Sequence, residues 1–256
     1  MMSLKIYKKN NMKLTLTFLL LIVSALSFAQ NKKDSQGRKQ GPWRKPYKDV
    51  QVYKYVGQFK NDKPVGEFTY YYKSGNVQSK ITFLKNGTVA YNKMYHESSG
   101  RLMAQGKYLN QEKDSLWLYY DNVGNLKSQE TFVKGKLEGQ SVTYYEPKNR
   151  QYVVAKYEYY KNGLRDGQFK TYHQNTKLKS EGTYKDGNKN GMVKNFYPNG
   201  KIRSVERYKY AVKHGWWIFY GKDGRQVGSE LFWEGEKLKD GPEKDKRAAQ
   251  LKSHRN

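Results

Sequence analysis

Gly66-Glu67-Phe68-Thr69-Tyr70-Tyr71-Tyr72-Lys73-Ser74-Gly75 decides the fold, because the chain keeps rewriting it. The pattern returns as Gly167-Gln168-Phe169-Lys170-Thr171-Tyr172 and as Gly191-Met192-Val193-Lys194-Asn195-Phe196-Tyr197-Pro198-Asn199-Gly200. It returns again as Gly215-Trp216-Trp217-Ile218-Phe219-Tyr220-Gly221-Lys222-Asp223-Gly224. Unit starts fall at Gly41, Gly66, Tyr91, Ser115, Gly139, Gly167, Gly191 and Gly215, with spacings of 25, 25, 24, 24, 28, 24 and 24 residues. A fixed period of this size marks a repeat architecture, in which each unit buries its apolar face only by stacking on its neighbours. The spacing of 28 comes from extra residues around Glu146 to Gln151, and Gly241-Pro242 reads as the start of a ninth unit that is not completed.

Each unit divides into two short strands and two turns. The first strand alternates aromatics, as in Phe68, Tyr70, Tyr72 or Trp117, Tyr119. Alternation with aromatic enrichment specifies a strand. Glycine then supplies positive φ for a tight turn at Ser74-Gly75, Asn199-Gly200 and Asp223-Gly224. The second strand places an apolar, a small, a variable and an aromatic residue on one face: Val77, Ser79, Ile81, Phe83, and again Ile202, Ser204, Glu206, Tyr208. Asn86-Gly87, Asn162-Gly163 and Asp186-Gly187 close it as hairpin turns. The expected fold is therefore all-β, a single-layer antiparallel meander of about 16 strands, roughly 75 Å long at the usual strand spacing, and curved because open sheets twist. Lys244 to Lys252 has the composition of a short capping helix.

These residues resemble the MORN repeat, in the bacterial variant of proteins labelled YwqK-type antitoxins. The resemblance rests on a unit Gly-x-(Trp/Phe)-x-x-Tyr-x-x-x-Gly-x-(Leu/Ile/Val)-x-Ser with a Tyr/Phe-x-x-Gly-Lys-x-x-Gly end. Gly215 to Tyr220 and Gly182 to Gly191 carry it best, and it spans about 200 of the 256 residues. Tyr91 and Ser115 stand where the leading glycine is expected, and Lys148 and Thr176 where the turn glycine is. The resemblance implies an elongated, curved sheet of about eight stacked hairpins, and roles in membrane-surface binding or scaffold assembly. The antitoxin label implies a cytoplasmic toxin partner, which conflicts with the leader described next.

Residues 1–29 read as a secretory signal peptide. Lys5, Lys8, Lys9 and Lys13 precede an uncharged run from Leu14 to Leu26, and Ser27-Phe28-Ala29 supplies small residues for cleavage before Gln30. The run of 13 residues is short for a membrane-spanning helix, which takes about 20. Translation from Met1 or from Met12 fits equally. The chain has no cysteine, so it carries neither disulfides nor a lipoprotein anchor, and the reading is of a periplasmic or released protein. Residues 30–40 read as a disordered linker, 41–240 as the repeat domain and 241–256 as a basic tail or cap.

The chain carries 49 Lys and Arg against 23 Asp and Glu, a net charge of +26. Loss of the four leader lysines leaves 45 against 23, or +22. Such a surplus favours anionic partners such as lipid, lipopolysaccharide or acidic glycan. It equally serves to solubilise an exposed sheet and block pairing at its edges. Lys73, Lys170, Lys194 and Arg203 are the candidate anion contacts. Tyr70, Tyr72, Trp117, Tyr119, Trp217 and Phe219 are candidates for an aromatic surface or for framework. An exported protein is not expected to meet nucleic acid.

Motifs for chemistry are missing. His96, His173, His214 and His254 show no metal-ligand spacing. No nucleophile elbow or phosphate-binding loop occurs. Neither a cofactor nor a metal is expected, and the leading expectation is a non-enzymatic interaction surface or scaffold in the cell envelope, with an unknown protein partner or an anionic envelope component. Edge-to-edge self-association is open to it. An anionic membrane or lipopolysaccharide binder is the first alternative. An enzyme with a carboxylate site where the pattern breaks, near Glu146 to Tyr160, is the second. Asp186, Glu206 and Glu230 are expected to pair with lysines on adjacent strands.

Overall fold

The computed structural model describes residues 30–149 and 151–253. The proposed signal peptide lies outside the described residues. Among the described residues the protein is nearly all β, with one α-helix. They form two compact units, one up to Gly100 and one from Arg101.

The first unit holds β1 (Lys32–Lys33), β2 (Lys39–Pro46), β3 (Tyr53–Lys60), β4 (Lys63–Tyr71), β5 (Val77–Leu84) and β6 (Val89–Tyr95). Each pairs antiparallel with the next. The second unit continues with β7 (Leu102–Leu109), β8 (Glu112–Tyr120), β9 (Leu126–Val133), β10 (Lys136–Tyr144), β11 (Val154–Lys161), β12 (Leu164–Tyr172) and β13 (Leu178–Lys185). It ends with β14 (Asn188–Lys189), β15 (Gly191–Phe196), β16 (Ile202–Lys209), β17 (Val212–Lys213), β18 (Gly215–Tyr220), β19 (Gln226–Trp233), β20 (Glu236–Lys237) and α1 (Pro242–Ser253). It too is an antiparallel meander.

Two kinds of turn alternate. At one end of the strands, two-residue turns have positive φ at both positions, as at Asn162 (51°) and Gly163 (87°) or Tyr210 (47°) and Ala211 (67°). This is the type I′ geometry that matches strand twist. At the other end, longer turns place Gly75, Gly124, Gly200 and Gly224 at positive φ. Thr176 takes that place in one copy with φ 66°, an unusual conformation for a β-branched residue.

The leading glycine of each unit has a different job from the one its position suggests. It marks a kink in the ladder: Gly41, Gly66, Gly139 and Gly167 lie inside β2, β4, β10 and β12, whereas Gly191 and Gly215 are the first residues of β15 and β18. Around the equivalent Ser115, β7 and β8 pair at Gln105↔Leu118, then resume at Lys107↔Asp114. Gly215 adopts φ 83° at this position, and Ser115 adopts φ 61° in the same role. Tyr91 does not. β5 and β6 pair without interruption from Leu84↔Val89 to Ser79↔Met94, and the turn before β6 is a wider 3-10 turn over Lys85–Gly87.

Two expectations about the ends change. Residues 30–40 are ordered, with β1 folded back on β2. Asp34 fixes that turn by accepting from the Gln36 and Arg38 amides and from the Arg38 and Gln40 side chains. Those bonds, the one from Gln40 foremost, hold its carboxyl down to about 2. Gly241-Pro242 opens α1 rather than a ninth hairpin, proline being well placed in a helix's first turn.

Most of the core is on one face of each meander, with Val142 and Leu231 buried on the other. Phe68 and Trp117 are almost fully buried. They achieve this in a single layer by lying flat over glycines of the neighbouring strand. A Cβ on Gly57 would stand 2.3 Å from the Phe68 ring, and one on Gly106 2.3 Å from Trp117. Where the second-strand residue at this level is not Gly57, Gly106, Gly182 or Ile81, it is a glutamate: Glu130, Glu158, Glu206 and Glu230.

Candidate functional site

The ring-bearing face closes on itself. Trp117 donates its Nε1–H to the Lys107 carbonyl (3.0 Å) and Trp217 to that of Arg207 (3.1 Å). Lys113 Nζ lies 4.6 Å from the Trp117 ring centre and Lys213 Nζ 4.3 Å from that of Trp217, so cations roof the rings. Tyr70 is packed between Tyr55 and Phe68, and burial raises its hydroxyl pKa. Tyr119 accepts from Lys113 Nζ at 2.7 Å. Burial first, and Glu130 second, push its pKa well above the usual range. Tyr72 donates to the Tyr95 carbonyl at 2.9 Å. The same bond recurs from Tyr47, Tyr145 and Tyr197, and His173 Nε2 makes its equivalent to Phe196. In these copies it ties one repeat to the next. Phe219 faces Ser204 and Gly228, half-buried.

The glutamates of this face are held by more than lysine. Glu158 is buried, 2.7 Å from Lys156 Nζ and 3.0 Å from Arg165 Nε, and it accepts from Tyr160 at 3.2 Å. The Arg165 contact is a close ion pair without hydrogen-bond alignment. Glu206 pairs with no lysine. It accepts from Asn195, Ser204 and Tyr208 at 2.8, 2.9 and 2.9 Å. Glu230 does meet the expected cation, Lys237, at 2.6 Å. Asp186 is placed in a two-residue turn, where its backbone N–H donates to Asp166.

The opposite face is different. In the second unit its central row runs in register across the sheet: Gln105, Leu118, Gln129, Val142, Tyr157, Lys170, Glu181, Lys194, Val205, Ile218 and Ser229. The ends of the row are mainly apolar and its middle is Lys170–Glu181–Lys194. That middle floors a hollow of about 350 Å³ completed by Gln168, Thr183 and Met192. No ion pair closes among its three charged groups. Of the four candidate anion contacts, then, Lys170 and Lys194 come together. Arg203 is exposed two residues from Val205 on β16. Lys73 is elsewhere, in a turn of the first unit, 2.5 Å from Asp49. Their hydrogen bond lowers the pKa of Asp49 and raises that of Lys73.

Helix α1 lies against one end of this face. Arg247 sits 4.4 Å over Trp233 and Lys244 5.8 Å over Trp216. Leu251 joins Met192, Val205, Arg207, Trp216 and Ile218 around a second hollow. Met192 borders both hollows, so the open one begins where the helix stops covering the sheet.

A further hollow of about 340 Å³ lies where the repeat spacing breaks, lined in part by Asp121, Lys127, Tyr144 and Glu146. Asp121 is committed to its turn, accepting from the amides of Val123 and Asn125 and from the Asn125 side chain, and those bonds bring its pKa below normal against the cost of burial. Asp121 and Glu146 are the two carboxylates of that lining. Among the described residues no cluster of His, Asp and Glu fits a metal ion, and no helix is long and apolar enough to cross a membrane.

With this geometry in place, comparison with known families is direct. Three stretches, 64–85, 165–186 and 189–210, match the family model described as a MORN repeat variant. Each match runs from just before the kinked glycine, through the longer turn, to the first residue of the next hairpin end. No curated protein matches the chain. Those three stretches are similar to MORN repeat variants, and such repeats point to a binding or scaffold protein built from hairpins.

The alternation of the sequence marks two faces but does not say which is core. The signal that would have separated them is the second-strand position filled by Gly or Glu beneath the rings, which reads as merely variable until Trp117 and Glu158 are seen to fill the same level.

Proposed function

We propose that this protein is an exported, non-enzymatic interaction surface of the cell envelope, presenting the face opposite its buried rings to a partner. The observation that carries the reading is the unequal saturation of the two faces. On one, rings, glycines, roofing lysines and glutamates satisfy each other. On the other, Lys170, Glu181 and Lys194 line an open hollow without pairing, beside exposed Met192 and Tyr159. Export is supported by the leader-like sequence of residues 1–29. The MORN match agrees with a non-catalytic role.

The test is a photoreactive amino acid placed at Gln168, with a control at ring-facing Thr171, in cells producing the full chain. An adduct in the envelope fraction from Gln168 alone is expected. Equal adducts from both positions, or none from Gln168, would overturn the reading. The +22 surplus favours a second version, in which the partner is an anionic membrane or lipopolysaccharide. It predicts pelleting with anionic but not neutral vesicles, lost as salt rises past about 0.1 M, where screening falls to ~10 Å.

A further inference from the structure

We propose that the Lys170–Glu181–Lys194 hollow binds an acidic linear polysaccharide, its sugar chain running across the strands from β12 to β15. This rests on the interaction-surface reading above and names the partner of that face.

Charge is the first argument. On the face around the hollow, Lys170, Lys179, Lys194, Arg203 and Arg207 are met by Glu181, while Lys185 is already paired with Asp166. The patch is cationic and its central lysines are not neutralised within the fold. An anionic partner is the complement.

The second argument is the carboxylate in the middle. Glu181 pairs in register with Lys170 on one side and Lys194 on the other. A ligand that is only phosphate would find this carboxylate repulsive. A sugar chain bears both acids and hydroxyls. Its carboxylates accept from Lys170 and Lys194, and a hydroxyl between them donates to Glu181. The lysines stand two strand spacings apart, about 10 Å, room for neighbouring sugars to alternate between them. Gln168 adds an amide that both donates and accepts. Thr183 donates its own hydroxyl to the Asn190 carbonyl, leaving its oxygen to accept. Tyr172 and Phe196 follow Lys170 and Lys194 by two residues along their strands and are part-exposed, as suits rings that stack on pyranose faces.

The third argument is against other partners. An extended peptide joins a sheet through its edge, and an amphipathic helix seeks an apolar groove. This floor lies mid-sheet and is charged at its centre. A bilayer calls for lysines that protrude to a plane, yet Lys194 is half-buried.

The experiment uses the purified full chain with four probes: polygalacturonate oligomers, a neutral glucan of equal length, inorganic polyphosphate and anionic phosphatidylglycerol vesicles, in about 0.15 M salt. Polygalacturonate should bind and the glucan should not. Lys170→Ala with Lys194→Ala should weaken polygalacturonate at least about tenfold, the scale of lost charge-assisted hydrogen bonds. Glu181→Ala is the discriminating variant, expected to tighten polyphosphate and to weaken polygalacturonate. Circular dichroism confirms that each surface variant is folded. Equal tightening of both polyanions by Glu181→Ala, vesicle binding as strong as polygalacturonate binding, or indifference to the lysine variants would each overturn the proposal. Absence of polygalacturonate binding together with a Gln168 adduct would sink the glycan and spare the interaction surface. Absence of both would sink the two readings together.

Discussion

Two hairpins of the second unit lie one hundred residues apart and solve the same packing problem differently. In Leu102–Tyr120, Trp117 is anchored to the Lys107 carbonyl, meets Tyr108 edge-on at 5.0 Å and is roofed by Lys113. In Ile202–Tyr220, Trp217 is anchored to the Arg207 carbonyl, meets Tyr208 at 5.3 Å and is roofed by Lys213. The residue before the anchoring carbonyl differs: Gly106 in the first, Glu206 in the second. Glycine lets the indole settle to complete burial, whereas Trp217 keeps 8 % of its surface exposed. Glutamate is tolerated because Asn195, Ser204 and Tyr208 all donate to it. One backbone plan therefore accepts either close ring-on-backbone packing or a saturated buried acid, and a change that mixes the two should fail.

The most damaging mixture is a side chain at Gly106. A Cβ there falls 2.3 Å from the indole, and Trp117, with none of its surface exposed, has nowhere to move. Gly106→Ala should destabilise by about 3 kcal/mol, the upper range for overpacking a core. Denaturant titration followed by tryptophan fluorescence measures it, and a loss under about 1 kcal/mol would break the comparison. On the other side, Glu206→Ala should cost about 2 kcal/mol by leaving three donors short of an acceptor. Glu206→Gln should recover part of that loss, since its carbonyl oxygen still accepts while its amide must find a place among donors.

Smaller contrasts come from backbone conformation. Ser115 holds φ 61° where the second hairpin has Gly215 at 83°, and Ala211 holds φ 67° in its turn. Left-handed geometry costs a non-glycine residue roughly 1 kcal/mol, so Ser115→Gly and Ala211→Gly should each stabilise by about that amount. Gly215→Ser should destabilise more, because the added Cβ also meets the Arg207 side chain at 3.0 Å. Thermal melts that moved in the same direction for Ser115→Gly and Gly215→Ser would contradict the shared role of the two positions.

Much of this was readable before any coordinates. Asn162-Gly163 and Asp186-Gly187 announce hairpin turns, and the alternating rings announce strands, because both signals are local. What the sequence did not disclose depends on contacts between strands. The leading glycine reads as the start of a unit until pairing shows a break in the ladder at its level, as at Ser115. The turn Tyr210-Ala211 lacks the usual residues, so tertiary pairing on both sides must impose its geometry. Lys170 and Lys194 could be named as cationic but not as neighbours, since their meeting requires β13 to lie between them with Glu181 in register.

The smallest effect separates the hairpins by pH. Asp114 of the first pairs with Lys107 at 2.5 Å, and the hydrogen bond from that lysine lowers its pKa below the ordinary 3.8. The corresponding residue of the second is His214, which lies against Trp233 with its Nδ1 buried and unpaired. Burial first, and then Lys209, lower its pKa below 6.5. Both depressed values make acid destabilising, but in different windows. As pH falls through 6.5, the unfolded chain takes up a proton at His214 that the folded chain refuses, so stability declines from there until the folded histidine titrates. Asp114 contributes its share above pH 3.8 and loses it only below, as the folded carboxylate is protonated. His214→Asn should therefore flatten the stability profile between pH 7 and 5 and leave the acid limb in place, while Asp114→Asn should do the reverse. If His214→Asn leaves the slope above pH 5 unchanged, the second hairpin does not hold its histidine neutral, and the two hairpins answer to acid in the same way.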